Sequence, residues 1–263
     1  MMVDMTSDAA SRRAGLRPVT GTSARPRKQQ IAAVLVVKNL GDAKTRLAAS
    51  LLRPDVGRDA LRELVLAMLL DTLAAVSDAG LDPIVVVSPD DEVLRVVTSV
   101  GFHALRETPR PGATLNHAYA QGAHWVRDHH RQIGAVMMVQ ADLPAANSLS
   151  IVEVIAAAPN RAAALISDEA GTGTAILLSP VTHTDLPRFG PDSAAAHRHA
   201  GATELDPARL RWPDLRNDVD TADDLARATL LGVGAHTRLV LAHNRAILTP
   251  GDGAAAPRPA DAS

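Results

Sequence analysis

An α/β fold with a mainly parallel sheet is what this 263-residue sequence predicts, and three observations carry that reading. Short apolar runs alternate with longer segments of helical period, the pattern of strands joined by crossover helices. The run Val136-Met137-Met138-Val139 is apolar on both sides of the pleat, as a strand covered on both faces must be. No linker-like break interrupts residues 30–243, so these elements belong to one domain. In order, Ile31–Val37 forms the first strand. Arg58 to Ala79 places Leu61, Leu64, Val65, Met68, Leu69 and Thr72 at the core spacing of a helix, which Gly80 ends. The second strand is "PIVVVS" at 83–88; a helix near 90–99, a short strand at 102–106 and a helix over 114–130 follow. "AVMMVQ" is the fourth strand. After it come a helix from Ser148 to Ala158, strands at Ala162–Ser167 and Thr174–Leu178, and a closing helix from Thr221 to Leu231. Residues 1–29, with six Arg or Lys between Arg12 and Lys28, read as a disordered leader, a transit peptide being the competing reading; residues 244–263 read as a low-complexity tail.

Composition removes several function classes. The chain is 46% hydrophobic and 21% charged, with a formal net charge of -2, so it offers no broad positive field for a polyanion. Phe102, Tyr119, Trp125, Phe189 and Trp212 are too scattered to stack single-stranded bases. The chain has no cysteine, which excludes disulfides, thiolate metal sites and a cysteine nucleophile. No membrane span and no secretory signal is visible, and a cytoplasmic location is expected. Neither G-x-x-x-x-G-K-[ST], G-x-G-x-x-G nor G-x-S-x-G occurs. His117, His124, His129 and His130 share one helix, but no i, i+4 pair among them suits zinc.

In open α/β sheets, ligands bind beyond the carboxyl ends of the strands. The loops that begin at Lys38, Ser88, Asp142, Asp168 and Ser179 are therefore the candidate site. Asp142 ends "MMVQAD", and a buried strand gains nothing from a carboxylate there unless something needs its charge. In "RNDVDT", Asp218 and Asp220 share one face of an extended segment while Val219 takes the other. Three carboxylates converging on a point need a cation, and an all-oxygen set suits Mg²⁺ or Mn²⁺. Against this, Asp142 could simply form a turn, and Asp220-Thr221-Ala222-Asp223 has the spacing of a capping box. The segment "KNLGDAKTRL" (38–47) sets Lys38, Lys44 and Arg46 around Gly41, enough to wrap a triphosphate or to be a solvated basic loop. "GTGT" (171–174) and "FGPDS" (189–193) offer Thr174, Gly190 and Ser193 for a second anion, or are two turns.

Taken together, "LVVKNLGDAKTRL", "PRPGATLNHAY", "VMMVQADLPA", "GTGTAILL", "RFGPDSAAAHRHAGA" and "RNDVDTADDL" resemble the CofC/FbiD guanylyltransferases of deazaflavin coenzyme F-420 biosynthesis throughout residues 31–234. The resemblance implies a three-layer Rossmann-like GT-A nucleotidyltransferase fold with a mainly parallel mixed sheet. It implies GMP transfer from GTP to phosphoenolpyruvate or 2-phospho-L-lactate, with release of pyrophosphate and hand-over of the product to the next enzyme. It assigns one or two Mg²⁺ to Asp142, Asp218 and Asp220, the acceptor to Thr174, Gly190 and Ser193, and the triphosphate to Lys44 and Arg46, with Lys38 of the same basic segment a further nucleotide-binding candidate. Asn116 falls near the nucleotide, although Ala113 and Thr114 interrupt the family's Gly-Leu-Asn pattern after Gly112. Two rival functions share these residues: a GT-A glycosyltransferase or sugar-phosphate nucleotidyltransferase, and a non-catalytic nucleotide-binding regulator.

Overall fold

The structure is a computed structural model that describes residues 30–41, 45–51, 57–112, 114–183, 187–244 and Ile247. The Arg-rich leader, Lys44 and residues 248–263 lie outside the described residues. The strands are β1 (Gln30–Val36), β2 (Ile84–Ser88), β3 (His103–Arg106), β4 (Ile133–Gln140), β5 (Ala164–Ser167), β6 (Thr174–Pro180) and β7 (Thr203–Glu204). They form one sheet in the order β3-β2-β1-β4-β6-β5-β7. β3, β2, β1 and β4 run parallel; β6 is antiparallel to both β4 and β5, and β7 pairs parallel with β5.

Two apolar layers sandwich that sheet, which makes three layers in all. Leu35, Met137 and Val139 point into one layer, and Val34, Val36 and Met138 into the other. The first layer is closed by α2 (Arg58–Asp78), α3 (Asp91–Ser99), α5 (Ser148–Ala157), α7 (Ala222–Leu231) and α8 (Ala235–His243). On α2, Leu64, Met68, Leu69, Leu73 and Val76 are all fully buried, each worth roughly 1.5–3 kcal/mol of transfer free energy. The second layer is closed by α4 (Leu115–His129) and α6 (Ser193–His199). At Gly122 of α4 an added Cβ would lie 2.5 Å from Val34 Cγ1, so only glycine lets the helix sit this close to β1. α1 (Thr45–Leu51) is a further short helix.

Helix starts are set by local chemistry. Asp90 caps α3 by accepting Glu92 N–H at 2.8 Å and Val93 N–H at 3.3 Å, and it also takes Leu40 N–H at 3.0 Å from the loop after β1. Burial acts to raise the Asp90 pKa, but these donors outweigh it and hold the carboxyl below its usual range. α8 has no such local side chain. Two N–H groups of its first turn, His236 and Thr237, donate instead to Asp71 of α2 at 3.0 and 2.8 Å.

The sheet order fixes which expected loops can form a site. Because β6 runs antiparallel, the loop after Ser179 falls on the opposite edge from those after Lys38, Asp142 and Asp168, and it leaves the candidate set. For the same reason the start of β6, Thr174, joins the carboxyl ends of β1 and β4. One expectation is corrected in extent: Arg46 lies on helix α1 rather than on a basic loop. Ile247 is buried against the core. None of the helices among the described residues is long and apolar enough to cross a membrane.

Candidate active site

The end of β4 passes through Gln140 and Ala141 to Asp142, where Thr72 of α2 accepts the Leu143 N–H at 3.2 Å and steadies the turn. Across from it, the segment 217–220 is stitched in place by Val219 N–H donating to the Asp142 carbonyl at 3.1 Å. Val219 is fully buried, so its neighbours Asp218 and Asp220 face the other way, as alternation in the sequence predicts. The result is a cluster in which Asp142, Asp218 and Asp220 each bring a carboxylate oxygen within 4.8 Å of the others. All three residues are half-buried. The Arg46 guanidinium contacts the Asp220 carboxylate. An all-oxygen set of three carboxylates, with the Arg46 guanidinium beside it, fits a hard divalent cation.

The capping reading for Asp220 is corrected here. Thr221 is the N-cap of α7, and Asp224, not Asp223, closes the box: Asp224 N–H donates to Thr221 Oγ1 at 3.2 Å and Asp224 Oδ2 accepts Thr221 N–H at 2.9 Å. The cap therefore does not use the Asp220 carboxylate, which belongs to the cluster.

Arg216, just upstream, anchors the segment. Its guanidinium is 2% exposed and donates to Ser167 O at 2.8 Å, Ser167 Oγ at 3.0 Å and Asp206 Oδ2 at 3.1 Å. Burial lowers its pKa from the ordinary value, while Asp206 opposes that change. Sequence reasoning passed over this residue, although an Arg directly before "NDVD" was visible.

Two cavities flank the acids and share Leu115, Gln140 and Asp220. One, of about 260 Å³, lies beside Val36, Val37, Lys38 and Asp142. The other, of about 440 Å³, is lined by Arg46, Asp168, Thr174, Gly190, Ser193 and Asp218, among others. The acids thus stand at the boundary between two chambers. In the second, Asp168 accepts Thr172 N–H at 3.0 Å and Gly173 N–H at 2.9 Å; a Cβ at Gly173 would lie 2.3 Å from Asp168 Oδ2. The backbone donors expected to be open for an anion at "FGPDS" are partly engaged: Ser193 N–H faces Gly190 O at 3.2 Å and Ala194 N–H donates to Thr172 O at 3.0 Å.

Thr174 differs, because its hydroxyl is aimed by a histidine. His197 of α6 is buried; its Nε2 accepts the Arg188 N–H at 2.9 Å, so the ring proton resides on Nδ1, 2.9 Å from Thr174 Oγ1. A ring nitrogen that carries hydrogen cannot accept one, which leaves the hydroxyl hydrogen of Thr174 for the chamber. Burial, with the charge of Arg188 adding, lowers the His197 pKa to about 4, so the neutral tautomer holds at ordinary pH.

The remaining expected residues are placed as follows. Lys38 Nζ contacts both Glu107 carboxylate oxygens, at 3.0 and 3.2 Å. Asn116 clamps the loop ahead of Gly190, its amide donating to Phe189 O at 3.0 Å and its carbonyl accepting Phe189 N–H at 2.6 Å. Lys44 is outside the described residues.

The three-layer mixed sheet, with its helices on both faces, has the fold of the nucleotide-diphospho-sugar transferases. Solved structures share this fold: a putative nucleotide-diphospho-sugar transferase from Desulfovibrio desulfuricans (TM-score 0.60, 18% identity, 84% of this chain and 97% of that one) and a nucleotidyl transferase from Methanothermobacter (TM-score 0.54, 16% identity, 82% and 99%). More narrowly, the chain belongs to the guanylyl transferase CofC-like family, whose model matches residues 31–256. It is 43% identical over 217 residues to the phosphoenolpyruvate guanylyltransferase of Nocardia farcinica (82% of this chain, 92% of the relative). It is 40% identical over 215 residues to that of Mycobacterium marinum (81% and 94%).

Proposed function

We propose that this enzyme transfers GMP from GTP to phosphoenolpyruvate, releasing pyrophosphate and forming enolpyruvyl-2-diphospho-5'-guanosine for deazaflavin coenzyme F-420 biosynthesis in the cytoplasm. The observation that carries the reading is the carboxylate cluster between two chambers: a reacting α-phosphate placed at the acids leaves one chamber for the nucleotide and the other for the acceptor. Both relatives named above carry phosphoenolpyruvate in their names, which favours it over 2-phospho-L-lactate as acceptor.

In this reaction an acceptor phosphate oxygen attacks the α-phosphorus as the bond to the bridging oxygen breaks, and the electron pair leaves with pyrophosphate. A phosphate monoester with a second pKa of about 6 is already mostly dianionic at neutral pH, so no protein base is required. What is required is cancellation of charge between two anions and on the leaving group. Asp142, Asp218 and Asp220 would hold Mg²⁺ or Mn²⁺, as one or two ions, which supplies most of that cancellation when bound. Arg46, beside Asp220 in the wall of the second chamber, adds positive charge at the reacting centre, and Lys44 is assigned to the triphosphate. Thr174 donates its hydroxyl hydrogen to the acceptor within the chamber that Gly190 and Ser193 line.

The test is pyrophosphate release with Mg²⁺, crossing the four ribonucleoside triphosphates with phosphoenolpyruvate, 2-phospho-L-lactate, a sugar phosphate and no acceptor. Release confined to GTP with phosphoenolpyruvate supports the proposal. Release with the sugar phosphate establishes the sugar-phosphate nucleotidyltransferase instead, and GTP binding without release with any acceptor establishes the regulator.

A further inference from the structure

A third cavity, of about 470 Å³, continues the carboxyl edge beyond Lys38 and is walled by Lys38, Pro89, Glu107, Thr108, Pro109 and Arg110. Lys38 also lines the chamber beside Asp142, so the two spaces adjoin at this side chain. With the α-phosphate at the acids and the acceptor on the Thr174 side, the nucleoside is directed along Val36 and Val37 toward this third cavity. We propose that the third cavity is the guanine subsite and that Glu107, exchanging its Lys38 partner for the base, is the residue that selects guanine. The inference rests on the guanylyl-transfer reading above.

The Glu107 carboxylate is held in place before any ligand arrives. Its own N–H donates to Ser88 O at 2.9 Å. Gln121 of α4 clips the backbone on either side, accepting Thr108 N–H at 2.9 Å and donating to Arg106 O at 2.8 Å. The side chain is 10% exposed, whereas that of Lys38 is 41% exposed on a flexible stem. Lys38 Nζ sits between the two carboxylate oxygens, where a pair of adjacent N–H donors would sit in a bidentate contact. Guanine presents such a pair, N1–H and the N2 amino group, next to the O6 acceptor. As those two donors take the carboxylate, the ammonium moves to O6. Adenine reverses the pattern, offering an acceptor at N1 and a donor at N6. It would face carboxylate with a lone pair and ammonium with an amino group, so it is rejected by repulsion as well as by lost contacts.

The experiment compares kcat/KM for GTP, ITP and XTP in the pyrophosphate-release assay, for the intact wild-type chain and for Glu107→Gln. The ratios within one preparation do not depend on its folded fraction. Inosine lacks the N2 amino group, so wild type should prefer GTP over ITP by about tenfold or more. Gln offers one acceptor and one donor, matching N1–H and the C2 carbonyl of xanthine. Glu107→Gln should therefore lose the GTP-over-ITP preference and move the XTP:GTP ratio upward by about a hundredfold. Unchanged ratios in the variant overturn the assignment, as does a folded Glu107→Gln that processes none of the three. If that variant yields no folded protein, Glu107→Asp takes its place, and retreat of the carboxylate by one methylene must lower the GTP:ITP ratio or the assignment fails. A wild type inactive with GTP and every acceptor would instead refute the guanylyl-transfer reading, whereas a GTP-specific wild type with an indifferent Glu107 refutes only the subsite.

Discussion

Thr174→Val removes one hydroxyl from the chamber proposed for the acceptor and keeps the shape of the side chain, which isolates what His197 does there. In the structure the histidine supplies Nδ1–H to Thr174 Oγ1 at 2.9 Å because Nε2 is already committed to Arg188 N–H, so the threonine must donate outward. A hydrogen bond donated to a charged oxygen is worth about 1.5–3 kcal/mol. At 1.36 kcal/mol per factor of ten, Thr174→Val should lower kcat/KM for the acceptor by roughly 10- to 150-fold and leave the GTP KM nearly unchanged. His197→Phe keeps a ring but frees the hydroxyl to rotate, and should lower the same parameter by about tenfold. The assay is a double-mutant cycle read in initial rates at varied acceptor. If His197 works through Thr174, its substitution has almost no further effect in the Thr174→Val background. Independent, multiplying losses, or an equal rise in the GTP KM, would refute the reasoning.

Three further outcomes follow from the same structure. Asp142→Asn and Asp220→Asn should each cut turnover by about a thousandfold or more while the circular dichroism spectrum stays intact, and Mg²⁺ or Mn²⁺ should raise the wild-type Tm but not theirs; near-normal turnover in a folded variant would sink the metal assignment. Asp71→Ala leaves the His236 and Thr237 N–H groups at the start of α8 without their carboxylate; a loss of about 2–4 kcal/mol is expected, checked by chemical denaturation and by faster amide exchange confined to α8. His197 has a folded pKa of about 4 against an ordinary 6.5, so the unfolded chain takes the proton first. Its contribution to stability is complete above about pH 6.5 and falls away as pH drops toward 4, by at most about 3 kcal/mol. That slope, measured as denaturation midpoint against pH, should be missing in His197→Phe.

Sequence periodicity was enough to place β1 to β6 within a few residues, because a strand buried on both faces writes its burial directly into the chain, whereas the two-residue β7 left no such mark. Val136 to Val139 is apolar at every position since two layers cover it. Alternation likewise placed Asp218 and Asp220 on one side of buried Val219. The carboxylate motifs were legible for the same reason: a charge at the end of a buried strand is costly enough to stand out. Position across the sheet was not legible. Nothing local records that β6 runs antiparallel, yet that reversal moved the loop after Ser179 away from the site and brought Thr174 into it.

The residues that sequence reasoning passed over act through partners far along the chain. Glu107 meets Lys38 across 69 positions, His197 meets Thr174 across 23, and Arg216 reaches Ser167 across 49. α8 starts where Asp71, 165 positions earlier, accepts its N–H groups, a cap that no neighbouring residue could announce. The sequence by itself determined β1 to β6, the helices α2 to α5 and α7, the α/β class and the acids, since burial period and local turn chemistry are properties of neighbours, whereas α1, α6, β7 and α8 emerged only in the structure. Only the tertiary structure decided which polar groups share a chamber, because hydrogen bonds and ion pairs depend on distances that the packing of the sheet and its two helical layers sets.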